Sequence, residues 1–493
     1  MREPGKHIDL SPRAVFARLV RWGTAALVLL LLLMGLFYGV ENMRGYVAWK
    51  KYKAKLQAKG EQLEWSAYVP KSVPDEQNFT QTPLLQAAAQ KKYTEQPVWQ
   101  GFGRRVGDFV NHIGDWTTGK QTDLEACRNQ IQGSTAESAA QAVLDDFQEL
   151  EPALAQLRAA AQRPYAQFAV PLTKPWEGGV PSFAAIRQLV QLLSVHASAE
   201  LAANHSEKAL EDILTLHKIA ESLRSQPTLV SAMIRVAIMG GPATQPVWEG
   251  IISGKWSDAQ LSDFQKLYAG IDLLADVRQA FRGGERAAVN ELIDKNPAEL
   301  RKMFAESGDT KGSARSWKDR TRSLVNLAPS GWRYQNQLFY NRMIQEYVLD
   351  PIDPAKGQIS PELIKAAGKN FERELGEAKV FGVVAGMALP NFNKAILAAA
   401  RNQTLFMELQ TACALERFRR KANGYPERLD SLKPGFMGII QIDPIAGNSL
   451  HYKRIDSTHF TLYSPGWDGK DDGGITASSR ERGDWVWFSE AVK

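Results

Sequence analysis

At 493 residues, with 44% apolar and 23% charged side chains, the chain is long enough for two or three domains with ordinary cores, and disorder is not its overall character. Its net charge of +6 is local, because residues 1–60 hold 11 Lys/Arg against 3 Asp/Glu and the remaining 433 hold 49 against 51. A nucleic-acid binder carries its basic surface on the folded domain, so nucleic acid is set aside as a partner.

Residues 1–21 form a basic tail. They precede WGTAALVLLLLLMGLFYGV, residues 22–40, an uncharged run of 19 that is long enough to span a bilayer core as a helix. Glu41, Asn42, Met43 and Arg44 follow instead of the small residues of a cleavage site, so the run reads as a retained anchor. Tyr38, Tyr46 and Trp49 belong at or just beyond its outer interface. Five basic residues precede the span and six follow within twenty positions, so charge does not orient it.

Residues 41–64 are rich in helix formers and read as a charged helical stalk that stops at Gly60. Residues 65–97 carry Pro70, Pro74 and Pro83 without an apolar period, which predicts an extended linker. From AWKKYKAKLQAKGEQLEW through PDEQNF the chain resembles a family of uncharacterised single-pass bacterial envelope proteins. The resemblance implies an anchor, a stalk, a helical body and a small C-terminal module, and it brings no activity.

Residues 98–380 read as an irregular helical body. SFAAIRQLVQLLSVHASAEL (182–201) and HSEKALEDILTLHKIAESL (205–223) each carry an apolar face and predict a repeat-like helical hairpin turning at Ala203-Asn204. Gly240-Gly241-Pro242, Gly283-Gly284 and Ser330-Gly331 read as breaks between hairpins, and 305–322 reads as a polar loop.

Chemistry in this body is limited to near misses. GDWTTGKQ (114–121) has the frame of a phosphate loop but places Gln121 where a magnesium-holding Ser or Thr is needed. GFGRRVG (101–107) misplaces the third glycine of a dinucleotide turn. His196, His205 and His217 lie on adjacent helices without paired metal-ligand spacing, and helix-surface or core roles are the simpler reading. Cys127 and Cys413 have neither CxxC nor Cys/His spacing, so a zinc site or a disulfide framework is not indicated. No catalytic residue is assigned.

Residues 381–493 differ. A long helix over 393–426 ends at Asn423-Gly424, and strand patterns follow at 449–455, 459–464 and 484–488. The predicted fold is therefore mainly α, closed by a small α+β module with an antiparallel sheet. The aspartates and glycines of YSPGWDGKDDGG (463–474), with Asp484 beyond them, read either as a structural calcium loop or as tight turns.

The order ALERFRRKANGYP, DPIAGNSLHYKR, LYSPGWDGKDDGG, GDWVWF is similar to the soluble part of the major pseudopilin of type II secretion systems. The resemblance implies a last loop that binds calcium, for which Asp468, Asp471 or Asp472, and Asp484 could supply the charge, and a module working outside the cytoplasmic membrane with the N-terminus inside. A pseudopilin fuses its span directly to this stem, whereas here the span lies some 350 residues upstream. The expected function is a membrane-anchored, non-catalytic protein that binds or scaffolds an envelope protein partner. The alternatives are a membrane-tethered enzyme with its site in the helical body, or an accessory component of a secretion or pilus-like system.

Overall fold

The computed structural model describes residues 12–90, 92–168, 182–294, 329–377 and 383–490, and the polar loop expected at 305–322 lies outside them. The chain is mostly helical and carries a three-stranded antiparallel sheet near its C-terminus. Two compact units are distinguished: Met1–Gln62 with Leu292–Arg342 and Glu374–Gly386, and Leu63–Glu291 with Met343–Arg373 and Met387–Lys493.

Helix α1 (Pro12–Ala58) runs without interruption through the expected span and stalk. Its most apolar stretch has a mean hydropathy of 2.2 and is 0% buried, so this helix is long and apolar enough to cross a membrane. Gly60 ends it at φ 81°, with its amide donating to Gln57 O (2.9 Å) and the Glu61 amide to Leu56 O (3.1 Å). That pair of bonds needs a left-handed residue, which is why a glycine stops the stalk where the sequence suggests.

The stretch 65–97 is not an extended linker. It folds into 3₁₀ turns at Trp65–Ala67, Asp75–Gln77 and Phe79–Gln81, then α2 (Pro83–Ala88), and it buries Trp65, Phe79, Leu84 and Leu85. Its prolines start turns and helices, Pro83 at the first turn of α2 and Pro97 at that of α3 (Pro97–Phe109), where the missing N–H costs nothing. Asn78 locks the stretch in place, donating to Gln167 O (2.7 Å) and accepting from the Gln167 amide (2.9 Å).

Helices α4 (Leu124–Asn129), α5 (Ala139–Phe147) and α6 (Glu151–Ala160) lead to α7 (Phe183–Ala202) and α8 (Ser206–Ser222). The expected hairpin forms, with Asn204 at φ 66° in its turn. Every residue from Leu192 to Leu201 is buried, so the C-terminal half of α7 is covered on every side, and α3, α5, α8 and α10 pack around the helix.

Next come α9 (Leu229–Gly240), α10 (Gln245–Ile252), α11 (Asp258–Ala269), α12 (Leu273–Ala280), a π-helical turn Phe281–Ala287 and α13 (Ala288–Asp294). Gly240-Gly241-Pro242 separates two helices as expected, but Gly283-Gly284 does not break the chain. These glycines sit inside the π turn because a Cβ on Gly284 would lie 2.6 Å from Pro227 O, and one on Gly283 3.0 Å from the Tyr68 ring. Close approach, not flexibility, selects glycine there.

Helix α14 (Ser330–Met343), a second π turn Ile344–Leu349, the strands β1 (Ile352–Asp353) and β2 (Gln358–Ile359), α15 (Pro361–Glu377) and α16 (Val383–Ala422) complete the helical part. Asn423 at φ 59° follows α16, and the sheet β3 (His451–Arg454), β4 (Phe460–Ser464) and β5 (Trp485–Val486) pairs in the order β3-β4-β5. This sheet belongs to the same compact unit as α2–α12. Trp248 on α10 donates its indole N–H to Phe488 O (2.7 Å), and Trp116 packs 6.1 Å from Trp487. Cys127 and Cys413 are free and buried.

Gly250 on α10 has no room for a side chain, because a Cβ would stand 2.1 Å from the Trp256 indole nitrogen, itself bonded to Val247 O at 2.9 Å. Gly250→Ala should destabilise the protein by about 1–3 kcal/mol through overpacking. Urea unfolding of the detergent-solubilised chain followed by tryptophan fluorescence measures this, and an unchanged midpoint would show that Trp256 can move away.

Candidate functional site

The glycine-rich loop between β4 and β5 is shaped by backbone demands. Gly466 and Gly483 both hold φ 71°, and a Cβ on Gly466 would lie 2.6 Å from Gly483 O, so the two ends of the loop touch through glycine. Asp484, buried at the start of β5, gathers the loop. Its Oδ1 accepts from the Asp472 amide (3.2 Å), and its Oδ2 accepts from the amides of Gly474 (2.6 Å) and Ile475 (3.3 Å).

The other three aspartates are engaged separately. Asp471 accepts from the Gly473 amide (2.9 Å) and the Tyr463 hydroxyl (3.0 Å), and it lies 3.3 Å from His451 Nδ1. The Gly473 amide and then the Tyr463 bond hold its carboxyl below the usual range, while burial followed by Asp471 pushes the Tyr463 phenol up to about 12. Asp468 accepts from the Lys470 amide (3.1 Å), and Asp472 pairs with the Lys470 ammonium. Among the described residues no group of three or more His, Cys, Asp or Glu is placed to hold a metal ion. Asp484 and the amides it accepts from close the loop.

The structure also brings together a pair that sequence reasoning missed. Glu408 of α16 and Asp443 of the DPIAGN turn are both fully buried and converge on Ser464 at the end of β4. Asp443 Oδ1 accepts from the Ile445 amide (2.8 Å), but its Oδ2 and both Glu408 oxygens lack a well-formed hydrogen bond. Burial, then the Asp443 charge, pushes the Glu408 carboxyl well above the usual range, against the pull of Arg401 and the Ser464 amide. Burial raises Asp443 as well, opposed by its bonds from Ser464 and from the Ile445 and Ala446 amides, and by His451. The signal was present in the sequence: Glu408 occupies a position on the apolar stripe of Leu405, Leu409 and Ala412.

The motifs of the helical body resolve into structural roles. In GDWTTGKQ the Trp116 amide donates to Gln245 Oε1 (2.7 Å), its indole N–H donates to Gly240 O (2.8 Å), and the Thr122 amide donates to Glu249 Oε1 (2.6 Å). Within the frame the Trp116 amide is thus bonded to α10, and the amides of Thr117, Thr118, Gly119 and Lys120 are bonded inside the loop. GFGRRVG lies inside α3 as continuous helix.

The three histidines go to three different partners. His196 Nδ1 lies 2.7 Å from Asp212 Oδ2, and His205 Nδ1 lies 2.6 Å from Glu200 Oε2. His217 stacks edge-on to Tyr268 at 5.1 Å, and burial followed by the Arg235 charge lowers it to about 3. A cavity of about 410 Å³ opens beside Arg158, Glu211 and Thr215. Arg158 is already engaged there by Asp212 (2.7 Å) and Glu151 (2.6 Å).

The chain matches no protein-family model, no curated protein and no solved structure.

Two measurements follow from the module. Glu408 binds its proton more tightly folded than unfolded, so its contribution to stability is full below the ordinary carboxylate value of 4.5 and is lost as pH rises toward the folded value. Glu408→Gln should therefore keep a constant offset from wild type at acid pH. Above about pH 4.5 it should gain on wild type by up to about 1.4 kcal/mol per pH unit. A pH-independent offset from pH 4 to 8 would show that Glu408 titrates normally. Asp484→Ala should cost about 1.5–3 kcal/mol in chelator and in calcium alike. A calcium-dependent rise in wild-type melting temperature that Asp468→Ala/Asp472→Ala abolishes would instead make the loop a cation site.

Proposed function

We propose that this protein is a single-pass envelope protein, N-terminus inside, whose helical body and C-terminal α+β module bind or scaffold protein partners outside the cytoplasmic membrane. The observation that carries the reading is α1, whose bare apolar stretch continues as one helix into a stalk ending at Gly60. An anchor of this kind tethers a large soluble mass beside a bilayer, and helical hairpins offer surfaces suited to proteins or peptides. The similarity of the C-terminal motif order to the major pseudopilin supports an exterior location for the module. The histidines and charged groups of the body are spent on one another, as His196–Asp212–Arg158 and His205–Glu200 illustrate, which favours binding over catalysis.

The location is tested with Ser478→Cys, an exposed position in a chain whose native thiols are buried. A membrane-impermeant maleimide should label it in spheroplasts, and labelling only after lysis would place the body on the cytoplasmic side. The partner is tested with a photo-crosslinking residue at exposed Lys453 on edge strand β3. A discrete adduct with an envelope protein is expected. An adduct with a pilin-like subunit would make the protein part of a secretion or pilus-like machine, and no adduct there or at other exposed module positions would remove the scaffolding role from the module.

A further inference from the structure

The end of the apolar run on α1 has two unlike faces. One face stays bare past Val40, with Met43 71% and Val47 51% exposed and Tyr46 between them. The other, at the same height, is covered by the start of α14. A Cβ on Gly331 would lie 2.0 Å from Glu41 O, and one on Gly45 2.1 Å from Gly331 O, so the two helices meet backbone to backbone.

Polar bonds fix the contact. Asn42 Oδ1 accepts from the Gly331 amide (2.8 Å), and Glu41 Oε2 accepts from the Trp332 indole (3.3 Å) and the Gln335 amide group (3.1 Å). Tyr334 meets Tyr46 edge-on at 5.5 Å, and Arg333 lies over the Tyr334 ring at 5.0 Å.

Depth follows from helix rise. Glu41 to Gly45 lie about 2–8 Å beyond the end of the uncharged run at 1.5 Å per residue. The headgroup layer outside a hydrocarbon core is itself about 5–8 Å thick on each side. Trp332, Arg333 and Tyr334 are half-buried and pair apolar bodies with polar tips, the chemistry that settles in that layer. Arg44 is largely exposed while paired with Glu41 (3.1 Å), and Lys50 reaches over the Tyr46 ring, adding positive charge that suits phospholipid phosphates.

We propose that the first turn of α14, Ser330–Tyr334, lies in the phospholipid headgroup layer as a second, non-spanning membrane contact, clamped to the end of the span through Gly45 and Gly331. This rests on the reading of α1 as a span. The contact fixes the height of the stalk above the bilayer, since α14 cannot leave the interface without exposing the Glu41–Asn42 bonds.

The test uses the full chain in liposomes of phosphatidylethanolamine and phosphatidylglycerol, with one nitroxide-labelled cysteine at a time. Leu31→Cys reports the span, Ser330→Cys reports the α14 start, and Gln57→Cys, about 25 Å beyond Val40, reports water. Collisional accessibility to oxygen relative to a water-soluble nickel complex should rank 31 above 330 and 330 above 57. Adding Tyr334→Ser should shift the 330 label toward the value at 57. If 330 equals 57 while 31 stays oxygen-rich, the headgroup contact is wrong and the span stands. Low accessibility of 330 to both probes would mean that protein covers the turn, which also overturns the proposal. If 31 equals 57, the span itself is wrong.

Discussion

Complete burial of the C-terminal half of α7, from Leu192 to Leu201, is the constraint on which the larger unit depends. A helix covered on every face must satisfy its polar groups internally, because water cannot reach them. His196 and Glu200, in the buried C-terminal half of α7, are therefore bonded to Asp212 and His205. Asp212 in turn takes the Arg158 guanidinium, which also reaches Glu151. The helices around α7 are thus arranged by hydrophobic packing and registered by this chain of charges. Removing Arg158 would strip the fully buried Asp212 of its guanidinium partner.

The same accounting explains how one motif-like loop of the body is packed. The GDWTTGKQ loop resembles a phosphate cradle in composition, yet its Trp116 amide and the following Thr122 amide are taken by Gln245 and Glu249 on α10, which itself packs on α7. A helix at the centre of a unit demands a closed shell around it, and short polar loops supply the closing bonds. The C-terminal module is held to that shell by Trp248 and Trp487, so the sheet shares the core with the helices.

Within the module, buried carboxylates divide into two kinds. Asp484 is satisfied by three amides and acts as a clasp for the glycine-rich loop. Glu408 and Asp443 retain unbonded oxygens in a fully buried setting, where one charge raises the cost of the other. The aspartate-rich stretch visible in the sequence is gathered by Asp484, while the electrostatically stressed pair sits on residues separated by 35 positions. Distance along the chain hid the pair, although a glutamate on the apolar stripe of α16 was a local sign of it.

Local periodicity was enough to establish the apolar run of α1, its stop at Gly60, the α7–α8 hairpin and the three C-terminal strands. In each case the determining physics acts within a few residues: apolar length, a left-handed glycine, a helical stripe, an alternating pattern. Tertiary structure alone decided the rest. The proline-bearing stretch 65–97 became part of the core because distant partners such as Tyr165 and Gln167 accept and donate its hydrogen bonds. Gly284 and Gly331 were selected by the close approach of other backbones and Gly283 by the Tyr68 ring, which no local pattern records. Whether an aspartate faces a cation, an amide or another carboxylate depends on which oxygens and amides the fold places within 3 Å of it, and only long-range packing sets that.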